Sequence, residues 1–148
     1  MPLERQRIQV LVVDDHAGMR DGIRAVVNAQ LDMVVVGEAN DGHEAIDKFR
    51  TLLPDITIVD WNLPKARGDE VIAALSKEFP QARFIVITAL NDEDCIRRAI
   101  DLGARAYIHK DRLRREMLSV IRAVNQGERC FPEQNTDPPK KPDIKPPA

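Results

Sequence analysis

Five short apolar runs divide the first 110 residues, and the segments between them carry apolar side chains every three or four positions. The runs are IQVLVV (8–13), MVVVGEA (33–39), ITIV (56–59), RFIVIT (83–88) and RAYI (105–108). Each is short, rich in β-branched residues and nearly continuous in hydrophobicity, the pattern of a strand buried on both faces. The intervening patterns read as helices: Met19, Ile23, Val26 and Val27; Ala45, Ile46, Phe49, Leu52 and Leu53; Ile72 and Leu75; Ile96, Ala99 and Ile100. A fifth, Leu113, Met117, Val120, Ile121 and Val124, follows the last strand and is expected to end at Gly127. Asp41 with Glu44, and Asn91 or Asp92 ahead of Glu93 and Asp94, mark helix starts, where acids meet unpaired amide hydrogens; Gly103 is expected to close the fourth helix. Strict alternation of this kind leaves one economical solution, an α/β fold in which a (βα)5 doubly wound parallel sheet is covered by helices on both faces.

Length allows one such domain and not two: 148 residues, 43% of them hydrophobic, supply a single core. The expected domain spans residues 1–130. Residues 131–148 hold a run dense in proline and lysine without apolar period; six of the ten prolines lie from Pro132 onward, so this stretch is expected to be a disordered tail or linker. No repeat is visible. The formal charge of -2 points to neither nucleic acid nor membrane as an obligatory partner. The opening MPLERQRIQVLVV lacks an apolar stretch long enough for a signal peptide or membrane span, and a cytoplasmic location is expected. Cys95 and Cys130 are isolated from each other and from other soft ligands, and are expected to be reduced and incidental.

In a parallel sheet the residues just past the strand ends share one rim, where ligands bind near the switch in strand order. Here that rim receives Asp14 and Asp15 from the first strand, Asp60 from the third, Thr88 from the fourth and, two residues past the fifth, Lys110. Crowded carboxylates repel unless a cation sits among them. Mg²⁺ takes oxygen ligands, commonly one or two carboxylates with waters and a phosphate oxygen, and fits this set. An aspartate can also attack phosphorus to form an acyl phosphate, in a reaction governed by positioning and charge neutralisation. Asp60 is then the nucleophile, Asp14 and Asp15 hold Mg²⁺ directly or through water, and Thr88 and Lys110 bind the transferred phosphoryl oxygens. Trp61 and Pro64 belong to the loop expected to shape the edge of the site.

Taken together, VVDDH (12–16), VDWNLP with Gly68, ITAL (87–90) and LGARAYIHK (102–110) resemble the receiver domain of two-component response regulators, in the family's order and spacing over residues 8 to 127. VVGEANDGHEAI, IHKD and IRAVNQGERCFP are most similar to its NarL/FixJ (LuxR-type) subfamily, whose receivers usually precede a helix-turn-helix DNA-binding domain. The resemblance implies a flavodoxin-like strand order 2-1-3-4-5, Asp60 as phosphoacceptor, and Mg²⁺ held by Asp14, Asp15, Asp60 and the backbone carbonyl of Asn62. It also implies a switch in which Thr88 moves toward the phosphoryl group and the ring of Tyr107 turns into the vacated space. Asp111 stands where many receivers carry a proline, although this is common in the subfamily.

Each residue has a plainer reading. A lone strand-end aspartate is usually a turn former, Lys110 alone a solvated lysine, and Tyr107 a half-buried strand aromatic. The set carries the chemistry where its members do not. His16, His43 and His109 share no metal spacing and are expected to bind none; His16 is nearest the pocket. Arg112, Arg114, Arg115 and Arg122 form a solvated face in the absence of a recognition helix. The expected function is a phosphoacceptor, not an enzyme beyond slow autodephosphorylation, charged by a cognate histidine kinase or histidine phosphotransfer protein. Its expected output is partner binding, including a homodimer whose formation depends on phosphorylation; neither membrane nor, for this chain alone, nucleic acid is an expected partner. The alternative is the receiver half of a LuxR-type transcriptional regulator. A haloacid dehalogenase-type phosphatase is more distant, because those enzymes place a second aspartate where this chain has Asn62, and their acid pair comes last in the sequence instead of first.

Overall fold

Residues 7–90 and 92–132 are described by the computed structural model; residues 1–6, Asn91 and residues 133–148, which include most of the proline-rich stretch, lie outside the described residues. Strands and helices alternate as β1 (Ile8–Val13), α1 (Ala17–Asn28), β2 (Met33–Ala39), α2 (Gly42–Leu52), β3 (Ile56–Asp60), α3 (Gly68–Glu78), β4 (Phe84–Thr88), α4 (Glu93–Leu102), β5 (Ala106–His109) and α5 (Leu113–Asn125). A 3-10 turn over Lys110–Arg112 joins β5 to α5. The strands form one parallel sheet in the order β2-β1-β3-β4-β5.

The alternation of side chains along each strand divides the core into two layers. Val10, Val12, Ile56, Ile58, Ile85, Ile87 and Ile108 pack against Ile23 and Val27 of α1 and Met117, Ile121 and Val124 of α5. Leu11, Val13, Val59, Phe84, Val86 and Tyr107 face Phe49 of α2, Val71, Ile72 and Leu75 of α3, and Ile96 and Ala99 of α4. Every residue of β3 and β4 is buried, which explains why those runs read as continuous rather than alternating. Each of these aliphatic side chains contributes about 1.5–3 kcal/mol on removal from water, so the central strands form a rigid base.

Chain ends of the elements follow the expected chemistry, with differences of one residue. Asp41 caps α2 by accepting from the Glu44 amide at 2.8 Å, while the Glu44 carboxylate accepts from the Asn40 amide at 2.8 Å. Asp92 caps α4 by accepting from the Asp94 amide. Gly103 ends α4 at φ +100°, and Gly127 lies two residues beyond α5 at φ +97°. β3 runs one residue past the apolar segment, so that Asp60 is itself a strand residue paired beside β4. The segment after α5 runs back along the edge of β5: the Cys130 amide donates to the Arg105 carbonyl at 2.8 Å and the Tyr107 amide to the Cys130 carbonyl at 3.1 Å. Among the described residues no helix is long and apolar enough to cross a membrane.

The strand order places β2 and β3 on opposite sides of β1, so the chain turns in opposite directions after β1 and β3 and leaves a crevice above their ends. Asp14 and Asp60 border that crevice.

Candidate functional site

Asp60 ends a fully buried strand and is itself only 2% exposed, so its carboxylate is positioned by the sheet rather than by a loop. Its Oδ1 accepts from the Asn62 amide at 3.0 Å and its Oδ2 from the Lys110 ammonium at 3.0 Å. Lys110 reaches it from the 3-10 turn after β5, and the same ammonium lies 3.2 Å from Oδ2 of Asp14. Asp14 follows β1 directly and is completely buried; its Oδ1 accepts from the His16 amide at 2.8 Å. Its backbone carbonyl accepts from the Arg20 guanidinium at 2.6 Å, and that guanidinium is in turn paired with Glu38 of β2. Asp15 points more to solvent, with its side chain 35% exposed.

Electrostatically the group is under-neutralised. Burial pushes the Asp60 carboxyl above the usual carboxylate range, and the nearby Asp14 charge adds to this; the Asn62 amide and the Lys110 ammonium oppose it. For Lys110, burial acts against the ammonium, but Asp60 and Asp14 outweigh it and raise its pKa above the usual lysine value. One ammonium thus serves two buried carboxylates. Asp14 Oδ2 is buried and makes no hydrogen bond, its charge being met by the Lys110 ammonium at 3.2 Å. A fully buried carboxylate oxygen without a donor is costly unless a cation completes it. One ligand atom from each of Asp14, Asp15, His16 and Asp60 lies within 4.8 Å of the others. Three carboxylates, one carrying a buried oxygen that makes no hydrogen bond, fit a hard divalent ion such as Mg²⁺.

Thr88 and Tyr107 form a second group. The Thr88 hydroxyl, wholly buried, accepts from the Leu90 amide at 3.0 Å and makes no hydrogen bond to Asp60. Tyr107 is more buried than its sequence context suggests, at 4% exposed, and its hydroxyl donates to the Leu90 carbonyl at 3.2 Å. Burial and the adjacent Cys95 thiol push its phenol up to about 12, against a lowering contact with the Thr88 hydroxyl. His109 also holds this loop through the Ala89 carbonyl at 3.0 Å.

Of the residues singled out in the sequence, Asp14, Asp15, Asp60 and Lys110 meet at one point, the Asn62 amide contributes, and Thr88 and Tyr107 converge instead on Leu90. Trp61 is 6% exposed and packed in the core beside Val59 and Leu63, with its carbonyl accepting from the Gly68 amide at 3.1 Å, while Pro64 is exposed at the loop surface. Trp61 thus belongs to the loop, as expected, and its buried indole anchors that loop to the core. His16 lies beside the pocket, as its position in the sequence suggests, with its Nδ1 3.0 Å from Asp14 and 3.2 Å from Asp15. Its adjacency to the acid pair was a signal that metal-spacing rules, which look for separated ligands, pass over. Arg20 and Glu38 were not foreseen: Arg20 lies in no quoted motif, and the motif that holds Glu38 does not announce a contact with the loop after β1.

The family model for the response regulator receiver domain matches residues 10–122. Among curated relatives, the chain is 34% identical over 129 residues to the uncharacterized transcriptional regulatory protein YxjL of Bacillus subtilis (strain 168), a match covering 87% of this chain and 59% of that protein. It is 34% identical over 124 residues to the response regulator protein VraR of Staphylococcus aureus (strain Mu3 / ATCC 700698), covering 84% and 59% respectively. The chain therefore spans 59% of the length of these relatives. Among solved structures, a two-component response regulator of the LuxR family from Aurantimonas sp. SI85-9A1 superposes with a TM-score of 0.82 at 28% identity, covering 87% of this chain and 92% of that one.

Proposed function

The chain belongs to the response regulator receiver domain family of two-component systems, with LuxR-type relatives, and from that premise we propose that Asp60 accepts a phosphoryl group from a histidine kinase or histidine phosphotransfer protein. The observation that carries this reading is the placement of a buried Asp60 3.0 Å from the Lys110 ammonium, which also lies 3.2 Å from a buried oxygen of Asp14. A carboxylate oxygen of Asp60 attacks phosphorus, the phosphorus–nitrogen bond of the phosphohistidine breaks, and the departing imidazole keeps the electron pair of that bond and takes up a proton. Lys110, freed in part from Asp60 as the carboxylate becomes an acyl phosphate, bonds the phosphoryl oxygens. Asp14, Asp15, Asp60 and the Asn62 carbonyl are the residues that would hold Mg²⁺, which supplies charge neutralisation at the transferring group.

The phosphorylated state is read through Thr88 and Tyr107. A phosphoryl group on Asp60 offers the Thr88 hydroxyl a stronger acceptor than its present neighbours, and its departure from the Leu90 amide loosens the loop to which the Tyr107 hydroxyl is bonded. The change reaches the α4–β5 surface, where a partner or a second copy of the chain senses it. A second reading, that the chain serves as the receiver half of a transcriptional regulator, draws on the regulatory relatives it partly spans. A phosphatase reading is disfavoured by Asn62, which provides no general acid two residues after the proposed nucleophile.

Intact mass after incubation with a small phosphodonor and Mg²⁺ tests the assignment. One phosphoryl group is expected on the wild type and none on Asp60→Asn. Equal labelling of the variant would remove Asp60 as the acceptor.

A further inference from the structure

His16 occupies the N-cap of α1, yet its side chain caps nothing there. The ring is turned back over the acids, with Nδ1 at 3.0 Å from Asp14 Oδ1 and 3.2 Å from Asp15 Oδ1, although the side chain is 68% exposed and free to point into solvent. Nδ1 is also one of the four potential ligand atoms that lie within 4.8 Å of one another. Neighbouring ligand atoms around a small divalent ion, bound at about 2.1 Å, sit about 3.0–3.4 Å apart, and opposed ones about 4.2 Å. The widest spacing the group allows, 4.8 Å, exceeds that opposed spacing by only about 0.6 Å. The completely buried Asp14 Oδ2 makes no hydrogen bond and is balanced only by the Lys110 ammonium at 3.2 Å, which it shares with Asp60, so the buried carboxylates outnumber their cation.

From this geometry, and resting on the reading above that the acids take a divalent cation, we infer that His16 is a nitrogen ligand at the cluster and makes it selective for borderline first-row ions such as Co²⁺, Ni²⁺ and Zn²⁺ over Mg²⁺. The chemistry separates the two classes. Mg²⁺ prefers oxygen, retains several waters and gains little from an imidazole nitrogen, so the carboxylates alone set its affinity. Co²⁺, Ni²⁺ and Zn²⁺ form stronger bonds to imidazole, and for them a fourth protein donor of this kind raises affinity. The same pocket then distinguishes cations by a residue that the oxygen-only description of the site leaves idle. Because the ring is exposed and contacts the acids alone among its side-chain partners, its removal leaves the packing of β1 and α1 untouched.

Isothermal titration of the full chain at pH 8 with Mg²⁺ and with Co²⁺, on wild type, His16→Ala, His16→Gln and Asp60→Asn, tests the inference. Both His16 variants should weaken Co²⁺ binding by at least about tenfold while changing Mg²⁺ affinity by less than about threefold. Proton NMR of the Co²⁺-loaded wild type should show a hyperfine-shifted, exchangeable imidazole N–H that is absent from both variants, which distinguishes direct ligation from a general electrostatic effect. Unchanged Co²⁺ affinity in both variants, or the same resonance in His16→Ala, overturns the inference while leaving the Mg²⁺ reading intact. A chain that binds neither ion, or an Asp60→Asn variant that binds Mg²⁺ as the wild type does, removes the acid-cluster reading itself and the inference with it.

Discussion

Replacing Asp60 by asparagine should stabilise the metal-free protein, even though it deletes an ion pair. The variant keeps the shape of the side chain and an oxygen that can accept from Lys110. At an effective dielectric of about 20, two like charges 4.8 Å apart repel by about 3.5 kcal/mol, and Asp60 faces the buried Asp14 within that distance. Asp15 is partly solvated and adds roughly 1 kcal/mol after screening. Against this, a charge pair at 3.0 Å is worth about 5.5 kcal/mol on the same scale, of which a neutral hydrogen bond to the amide retains about 1 kcal/mol. These opposing contributions nearly cancel, and the sign is decided by burial, the largest influence on the Asp60 carboxyl. Desolvating a carboxylate costs several kcal/mol that an amide largely avoids. A net gain of about 1–2 kcal/mol is expected, with each kcal/mol moving the melting temperature of a domain this size by about 3–5 °C. Since folding raises the pKa of Asp60, its contribution to stability is fully present below the unfolded value, here taken as 3.8, and is lost as pH rises through the higher folded value. The advantage of the variant should therefore be complete at pH 8 and shrink as pH falls toward 4. Added Mg²⁺ should reverse the order, because binding at a hundred times Kd stabilises by about 2.7 kcal/mol and the variant has lost a ligand. Thermal unfolding in EDTA and in millimolar Mg²⁺ measures both effects. A variant no more stable than wild type without metal, and equally responsive to it, would refute the shared site.

Lys110→Met should lower stability by about 3–5 kcal/mol in urea unfolding, because it leaves Asp60 and Asp14 buried without their cation. Gly42→Ala should be destabilising by at least about 2 kcal/mol, since the new Cβ would lie 1.9 Å from the Ala66 carbonyl oxygen; Gly22→Ala, in an open helical position, should stabilise by about 1 kcal/mol. Tyr107→Phe should remove a component of alkaline unfolding: folding raises the phenol from 10.0 to about 12, so its contribution is complete below pH 10 and is lost between those values. Denaturant titrations at pH 8 and 11 should show the wild type losing more stability than the variant.

The sheet was legible because strands buried on both faces have no polar positions to obscure them, and because Asp41, Asp92 and Gly103 are chemically obvious helix boundaries. The same reasoning brought Asp14, Asp60 and Lys110 to one rim, since position relative to a strand end fixes where a side chain can point. It was less able to place groups whose location depends on tertiary contacts. Leu53 ends α2 in a left-handed conformation at φ +47° without the glycine that would announce it. Trp61 follows the strand, as a loop residue should, yet its large apolar surface takes it into the layer beneath α3. Edge pairing of Cys130 with β5 has no local signature, because it satisfies backbone groups that an open sheet edge would leave exposed.

That edge contact bears on how the signal leaves the site. The Tyr107 side chain is bonded to Leu90 in the loop after β4, whereas its amide is bonded to Cys130, beyond α5. One residue therefore connects the loop held by the Thr88 hydroxyl with the segment after α5. A displacement of the Tyr107 ring need not move the whole sheet to be felt there, since among the described residues β5 is held on its outer side by a short bridge and not by another strand. Burial is most complete in β1, β3 and β4, which hold the Asp60 carboxylate. The softer edge is where a change of state can be expressed with little loss of packing.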